Sequence, residues 1–315
     1  MPVVMPEVRV GDSLRCGGLT MFPLFGGMPL FNDGGGTVDY IPAHVAMEQG
    51  AITLREVSEA GSVSELWAEN YGDRQVLFVE GEELRGAKQN RVLAASVLVG
   101  ARSNTTIPVY CTEHGRWIGP ARHFTAGSYC PPSLRHLLLG GRRDPALLRA
   151  RHRPSQIALW QEIRRKHKAL DVPSTTDDMA AAIQTRRDEV ERLRMQFPCP
   201  ADASGIALAV ADQVVLDIFD KPTTLQQVWD RMVAGFALDV MESPDDGRQP
   251  SHDDVLSRLY RVRQLQFQQV PQVGLGEGFH VQHDDGMLGN ALVVDGVLVH
   301  ISLAWTQHPV TDSCV

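Results

Sequence analysis

The spacing of apolar positions changes along this chain, and each spacing predicts a kind of element. Residues 8–10 and 19–24 are short apolar runs among glycine-rich loops that close on Gly34, Gly35 and Gly36, a strand-and-turn pattern. Residues 42–49 place Val45 and Met47 beside Ala43 and Ala46, and Gly50 follows, which predicts a short helix and its stop. Residues 51–57 then predict a strand. From residue 62 to 117 the pattern is strand-like throughout. Residues 66–71 end at the turn-forming Gly72 and Asp73, and residues 75–79 form a continuous apolar run, as in a strand covered on both faces. Residues 91–99 predict another strand. The turn 101–104 joins it to a third, 105–111, where Pro108 lacks the N–H a ladder needs and so predicts an edge or a bulge.

Helical spacing begins after residue 150. Ile157, Trp160, Ile163 and His167 fall on one face of a helix over 156–170. Asp177 or Asp178 is placed to cap a second helix over 179–196, with Met179, Ile183, Val190 and Leu193 inward. Residues 205–219 read as two strands around a turn at 211–213, although Asp212, Gln213 and Asp217 interrupt the apolar run. Residues 289–302 repeat that arrangement around Asp295 and Gly296, a strong hairpin signal. Between the two lie a helix over 225–241, capped by Thr223 or Thr224, a polar loop over 244–250, and a helix or helix-to-strand segment over 255–268.

These elements predict an α+β fold. It has an N-terminal β-sandwich-like sheet, central helices, and a smaller C-terminal sheet with a packed helix. The matching domains are 1–130, a helical and basic connecting segment 131–200, and an α+β unit 201–315 able to share the core of the first.

The densest polar string runs from Glu80 to Arg91 between two apolar runs. Glu82 and Glu83 there offer acid–base or metal-binding groups, Lys88 and Arg91 can hold an anion, and Gln89 and Asn90 offer amides. The alternative is a solvated connection with salt bridges and turn glycines. A second string holds Glu113, His114, Arg116 and Trp117: a base, an anion clamp and a stacking surface, or else a strand end with Glu113 and Arg116 paired. If 91–99 pairs with 105–111 through the intervening turn, Arg91 and Cys111 meet at one end of the sheet, and the two strings converge there.

Other chemistry is less well supported. His280, His283 and Asp285, or Cys111, His114, His123 and Cys130, lack a recognised metal-ligand spacing, so no metal site is assigned. Nothing in the sequence lowers the pKa of Cys111 as a nucleophile would need. Gly274, Gly276 and Gly278 read as a loop before a strand rather than a nucleotide-binding turn. The run Arg142, Arg143, Arg149, Arg151, Arg153, Arg164, Arg165, Lys166 and Lys168 fits either a polyanion surface or a solvated, acid-paired helix face.

Composition narrows the class. Hydrophobic residues are 43% and charged residues 22% of 315, which is globular and not disordered. A net charge of −8 argues against general nucleic-acid binding. The first ten residues lack the features of a signal peptide, and no apolar run reaches the ~18–20 residues that span a bilayer. Five scattered cysteines without a CxxC pair argue against a disulfide framework and predict a reducing, cytoplasmic compartment.

Gly81, Glu82, Glu83, Leu84 and then Gly86, Ala87, Lys88, Gln89, Asn90, Arg91, followed by Ile107, Pro108, Val109, Cys111 and Glu113, Gly115, Arg116, Trp117, resemble a bacterial family without an assigned activity. It is the family of domains associated with ADP-ribosylglycohydrolases and rhodanese–phosphatases. The resemblance spans about residues 8–304 and departs in the basic insert after Trp117. It implies a link to NAD-derived or ADP-ribose metabolism through the company such domains keep, and it carries no catalytic roles, so cofactors stay unassigned. Two readings follow. In one, an enzyme or sensor binds an anionic nucleotide-derived molecule, with Glu82, Glu83 and Glu113 as acid–base or metal groups. Lys88, Arg91 and Arg116 would hold phosphate, and Gln89, Asn90 and Trp117 would orient the base or sugar. In the other, a non-enzymatic interaction module uses the basic insert or a sheet edge.

Overall fold

A computed structural model describes residues 3, 5, 7–26, 38–117, 123–140, 154–211, 213–243, 250–283 and 285–306. The glycines 34–36, the turn residue Asp212, the loop 244–249, Asp284, Cys314 and the arginines 142, 143, 149, 151 and 153 lie outside the described residues.

The fold is α+β, with three sheets. The largest has nine strands in the order β1 (Arg9–Val10), β3 (Leu19–Phe25), β13 (Gly205–Val210), β14 (Gln213–Phe219), β18 (Val297–Thr306), β17 (Leu288–Val294), β16 (Glu277–Gln282) and β15 (Gln268–Val270), with β2 (Leu14–Cys16) added on β3. A six-stranded sheet runs β12 (Phe124–Tyr129), β8 (Glu82–Gly86), β9 (Arg91–Leu93), β11 (Asn104–Cys111), β6 (Glu65–Asn70) and β5 (Ile52–Glu56). A three-stranded sheet, β10 (Val97–Val99), β7 (Gln75–Phe78) and β4 (Tyr40–Pro42), lies between them. The C-terminal hairpins were expected in the smaller sheet. They occupy the middle of the larger one, because the N-terminal strand β3 adds to them along the whole of β13, from Gly205 opposite Leu24 to Val210 opposite Leu19.

The middle sheet is covered on both faces, as the apolar run 75–79 predicts. Val76 and Phe78 enter the core shared with the six-stranded sheet, while Leu77 enters the core shared with the large sheet and the helices. The run 91–99 is not one strand. It breaks at Ala94, Ala95 and Ser96, so β9 stays in the six-stranded sheet and β10 joins the middle one. Pro108 is neither at an edge nor on a bulge. It sits where β11 exchanges one partner for another: Pro108 faces Glu65 of β6, and Val109 faces Leu93 of β9. A residue without an N–H is tolerated at that handover. The hairpin turn at Asp295 and Gly296 forms with both residues at positive φ (51° and 81°), the conformation that the Asp-Gly pair favours.

The helices are α1 (Ala43–Glu48), α2 (Pro132–Gly140), α3 (Pro154–Ala169), α4 (Met179–Thr185), α5 (Arg187–Gln196), α6 (Pro222–Glu242) and α7 (His252–Val262). Asp178 caps α4 as expected, accepting from Ala180 N, but the helix predicted over 179–196 divides at Arg186. On α3 the inward face is rotated from the expected one: Leu159, Ile163, Lys166 and His167 are buried and Ile157 is exposed. Neither Thr223 nor Thr224 caps α6. Lys221 is the N-cap and Pro222 takes the first turn, where its missing N–H costs nothing. Leu225, Val228, Trp229, Met232, Val233 and Phe236 bury the inner stripe of α6, each worth roughly 1.5–3 kcal/mol relative to exposure. No helix among the described residues is long and apolar enough to cross a membrane.

Candidate functional site

Residues 80–91 are not a connection. Glu82–Gly86 is strand β8, paired with β9 and β12, and its carboxylates are buried. Because neighbours on a strand point to opposite faces, Glu82 and Glu83 do not share a site. Glu82 pairs with Arg231 of α6 at 2.9 Å. Glu83 pairs with Arg85 at 2.7 Å and accepts from Ser128. Burial outweighs these partners and raises the pKa of both.

The turn from β8 to β9 needs unusual backbone. Gly86 has φ 133° and Ala87 φ 42°, and a Cβ on Gly86 would lie 2.5 Å from the carbonyl of His123. A polar brace holds this turn. Asn90 Oδ1 accepts from Gly86 N (2.9 Å) and Arg116 Nη2 (3.3 Å), and Asn90 Nδ2 donates to Asp178 (2.9 Å). Arg116 Nη1 donates to Ala87 O (2.7 Å) and Nε to Glu113 (2.8 Å), while Glu113 also accepts from Asn90 N. Burial pushes the Glu113 pKa up, but the bonds to Arg116 and Asn90 outweigh it and hold it low.

Cys111 faces Arg91, although the expected hairpin of 91–99 with 105–111 does not form: only 91–93 pairs with 109–111, and 97–99 pairs with β7. Arg91 is fully buried, donates to Gln89 Oε1 (3.1 Å) and Ser62 O (3.3 Å), and lies 3.5 Å from Glu56. Gln89 also donates to His114 O. Burial pushes the Cys111 thiol up to about 11, which opposes a nucleophilic thiolate. Trp117, 38% exposed, has Lys88 Nζ and Arg91 Cζ each 5.7 Å from its ring centroid. The structure therefore splits the expected set. Asn90, Glu113 and Arg116 form the brace, with Glu83 near it through Asp178. Lys88, Gln89, Arg91 and Trp117 form a second group, and Glu82 stands apart on the other face.

In the described part of the basic run, Arg164, Arg165 and Lys166 are paired with acids. Lys166 is buried against Asp239, Glu162 and Glu242 beside a cleft of about 360 Å³. Among the described residues no group of three or more His, Cys, Asp or Glu is arranged to hold a metal. His280 Nδ1 bonds Asn290 (3.0 Å) and His283 lies against Asp285.

A polar row that sequence reading missed crosses the large sheet. Asp217 faces Ser302, Ser302 faces Asn290, and Asn290 faces His280, on four adjacent strands. Arg135 of α2 binds Asp217 and Ser302 from above. Asn290 donates to Glu80, and His300 joins Asp217 to Ser96. All eight side chains are buried, a costly arrangement for so many polar groups. The signal was present: Asp217 interrupts an otherwise apolar strand, and His300 stands inside another.

Nearby, Asp220 accepts a hydrogen bond from Tyr40, and burial pushes its pKa up to about 6 from 3.8. A raised carboxyl pKa favours the folded state fully below about pH 4 and loses that contribution as pH rises through about 6. Relative to Asp220→Asn, the wild-type chain should lose roughly 2–3 kcal/mol of unfolding free energy between pH 4 and pH 7. Urea titrations of both proteins across that range check it, and a flat difference would refute it.

Residues 7–304 match the family described as the ARG and Rhodanese-Phosphatase-superfamily-associated Protein domain. No curated protein and no solved structure matches the chain.

Proposed function

Since the chain belongs to the ARG and Rhodanese-Phosphatase-superfamily-associated Protein domain family, we propose that it binds an anionic, ring-bearing small molecule of the nucleotide class, linked to ADP-ribose or NAD chemistry, at the Lys88–Trp117 face. One observation carries this reading. Every other cation of the two polar strings is committed within the protein: Arg85 to Glu83, Arg91 to Gln89 and Ser62, Arg116 to Glu113, Ala87 and Asn90. Lys88 has no acidic partner among the described residues and stands over a partly exposed indole. A spare ammonium beside an aromatic face suits a phosphate joined to a stacking ring.

The brace under the turn supports the same reading. It fixes the backbone that carries Lys88, so a ligand would meet a preorganised cation and lose less entropy on binding. Asn90, Glu113 and Arg116 then serve the site as supports for the turn.

Thermal-shift titration with ADP-ribose, NAD and adenosine tests this. A ligand that prefers the native state raises its apparent stability. The two phosphate-bearing ligands should shift the transition and adenosine much less. Lys88→Ala should weaken their binding by about tenfold, in line with ~1–1.5 kcal/mol for one partly solvated charge-assisted contact. Equal shifts for Lys88→Ala and wild type, or none with either phosphate-bearing ligand, would overturn the reading.

A further inference from the structure

The buried polar row contains a relay that neither the family match nor the Lys88–Trp117 face accounts for. Ser96 Oγ lies 2.7 Å from His300 Nδ1, and His300 Nε2 lies 3.1 Å from Asp217 Oδ1. The direction of each bond follows from the partners. Asp217 is buried against Arg135, whose charge keeps it an acceptor, so Nε2 must carry the imidazole proton. That leaves Nδ1 bare, and Ser96 must donate to it. Ser96 Oγ also accepts from Glu80 N (3.0 Å), which fixes the oxygen from a second side.

Each member is held in place. The His300 ring stacks on Phe219 at 4.6 Å and 24°, so its plane is set. Phe219 and His300 are direct cross-strand partners, which places the base by sheet register. The Ser96 carbonyl accepts from Gln272 Nε2 at 2.9 Å, and Gln272 also lines a surface groove of about 460 Å³. Ser96 itself is 7% exposed and does not line that groove.

Several atoms beside the relay are buried without a hydrogen-bond partner among the described residues: Glu80 Oε1, Asp217 Oδ2, Tyr129 Oη, and Nε and Nη1 of Arg135. Glu80, Asp217 and Tyr129 are all within electrostatic reach of Arg135. So many orphaned groups around one serine–histidine–aspartate chain mark a place where further polar atoms belong.

We infer that Ser96 is a nucleophile, with His300 as its base and Asp217 as the group that orients the base, at a second site that takes small carboxylic esters. In the first step the Ser96 Oγ–carbon bond forms, the proton passes from Oγ to His300 Nδ1, and the alcohol leaves carrying that proton. In the second, water attacks the acyl-Ser96, giving its proton through His300 to Ser96 and releasing the acid. The unbonded N–H groups of Arg135 suit an ester whose acid part carries a carboxylate.

The test is labelling of the purified full-length chain with a fluorophosphonate, read by intact mass and peptide mapping. Attack forms the Ser96 Oγ–phosphorus bond, fluoride leaves, and His300 takes the proton. The expected result is a single adduct on Ser96, absent in Ser96→Ala and at least 100-fold slower to form in His300→Gln. Labelling of the wild-type chain also reports without any variant, should His300→Gln fail to fold. No adduct on the folded wild-type protein, an adduct on another residue, or undiminished labelling of Ser96→Ala would each overturn the inference. The Lys88 titration is unaffected by any of these outcomes, so the two sites stand or fall separately.

Discussion

Arg135→Met is expected to lower the unfolding free energy by about 3–5 kcal/mol, the range for removing one partner of a fully buried ion pair. Both Arg135 and Asp217 are completely inaccessible and lie 2.6 Å apart. Burial alone would raise the Asp217 pKa, but Arg135 and His300 outweigh it and hold the carboxyl below its ordinary range. Without the guanidinium, the carboxylate stays buried with the His300 imidazole as its one side-chain partner among the described residues. The protein must then keep an unpaired charge in its core or protonate it. Either costs a large share of the ~5–15 kcal/mol that stabilises a typical fold. The double variant Arg135→Met with Asp217→Asn removes both charges and leaves an amide oxygen for His300 Nε2, so it should lose less than the sum of its single variants. Urea midpoints at unchanged slope measure all four proteins. A loss under about 1 kcal/mol for Arg135→Met, or strict additivity in the cycle, would show that the pair is not the buried unit its geometry describes.

That pair also shows which parts of the molecule the sequence reveals. Local pattern is legible where one element answers to one signal. The Asp295-Gly296 hairpin, the Asp178 cap and the two-faced burial of residues 75–79 all follow from residue type and period. Arg91 does meet Cys111, but through β9 alone, because β10, the strand next to the short turn, pairs with β7 in the middle sheet. What period cannot carry is the choice of partner over long separations. Nothing local says that Leu19–Phe25 adds to Gly205–Val210, and that choice makes the C-terminal sheet the larger one. Nor can period show that 91–99 divides between two sheets at Ser96, whose hydroxyl is claimed by Glu80 N and by His300, 204 residues away.

The candidate residues divide in the same way. The string 80–91 is conspicuous because it is dense in charge, but density alone does not separate a brace from a binding face. Asn90, Glu113 and Arg116 spend their hydrogen bonds on one turn, while Lys88 has no acidic partner among the described residues. The polar row is the opposite case. Asp217, Ser302, Asn290 and His280 sit on four different strands, each with apolar or glycine neighbours on both sides, and cross-strand register aligns them. A lone polar residue in an apolar run is therefore the stronger pointer here. It has to be satisfied, and the residues that satisfy it come from elsewhere in the fold.

Gly235→Ala is expected to destabilise the protein by about 3 kcal/mol, against the sign that helix propensity gives. In the interior of a helix, alanine is favoured over glycine by about 1 kcal/mol. Gly235 lies well inside α6, so propensity alone predicts a gain. Packing predicts the reverse. A Cβ at this position would sit 2.0 Å from the Tyr129 carbonyl oxygen and 2.6 Å from its carbon. These are backbone atoms of β12, and no rotamer change removes them. The helix must move off the strand, and overpacking of this kind typically costs 1–3 kcal/mol or more. The displacement would also strain contacts on the same face of α6, where Arg231 donates to Gly127 O (2.6 Å) and pairs with Glu82 (2.9 Å). Urea unfolding of Gly235→Ala beside an exposed control, Gln227→Ala, separates the two effects. Loss at Gly235 with little change at Gln227 assigns the glycine to the close approach of α6 and β12. A gain at Gly235 would mean that the helix does not press on the strand, and the seat of Glu82 and Tyr129 beneath it would have to be redrawn.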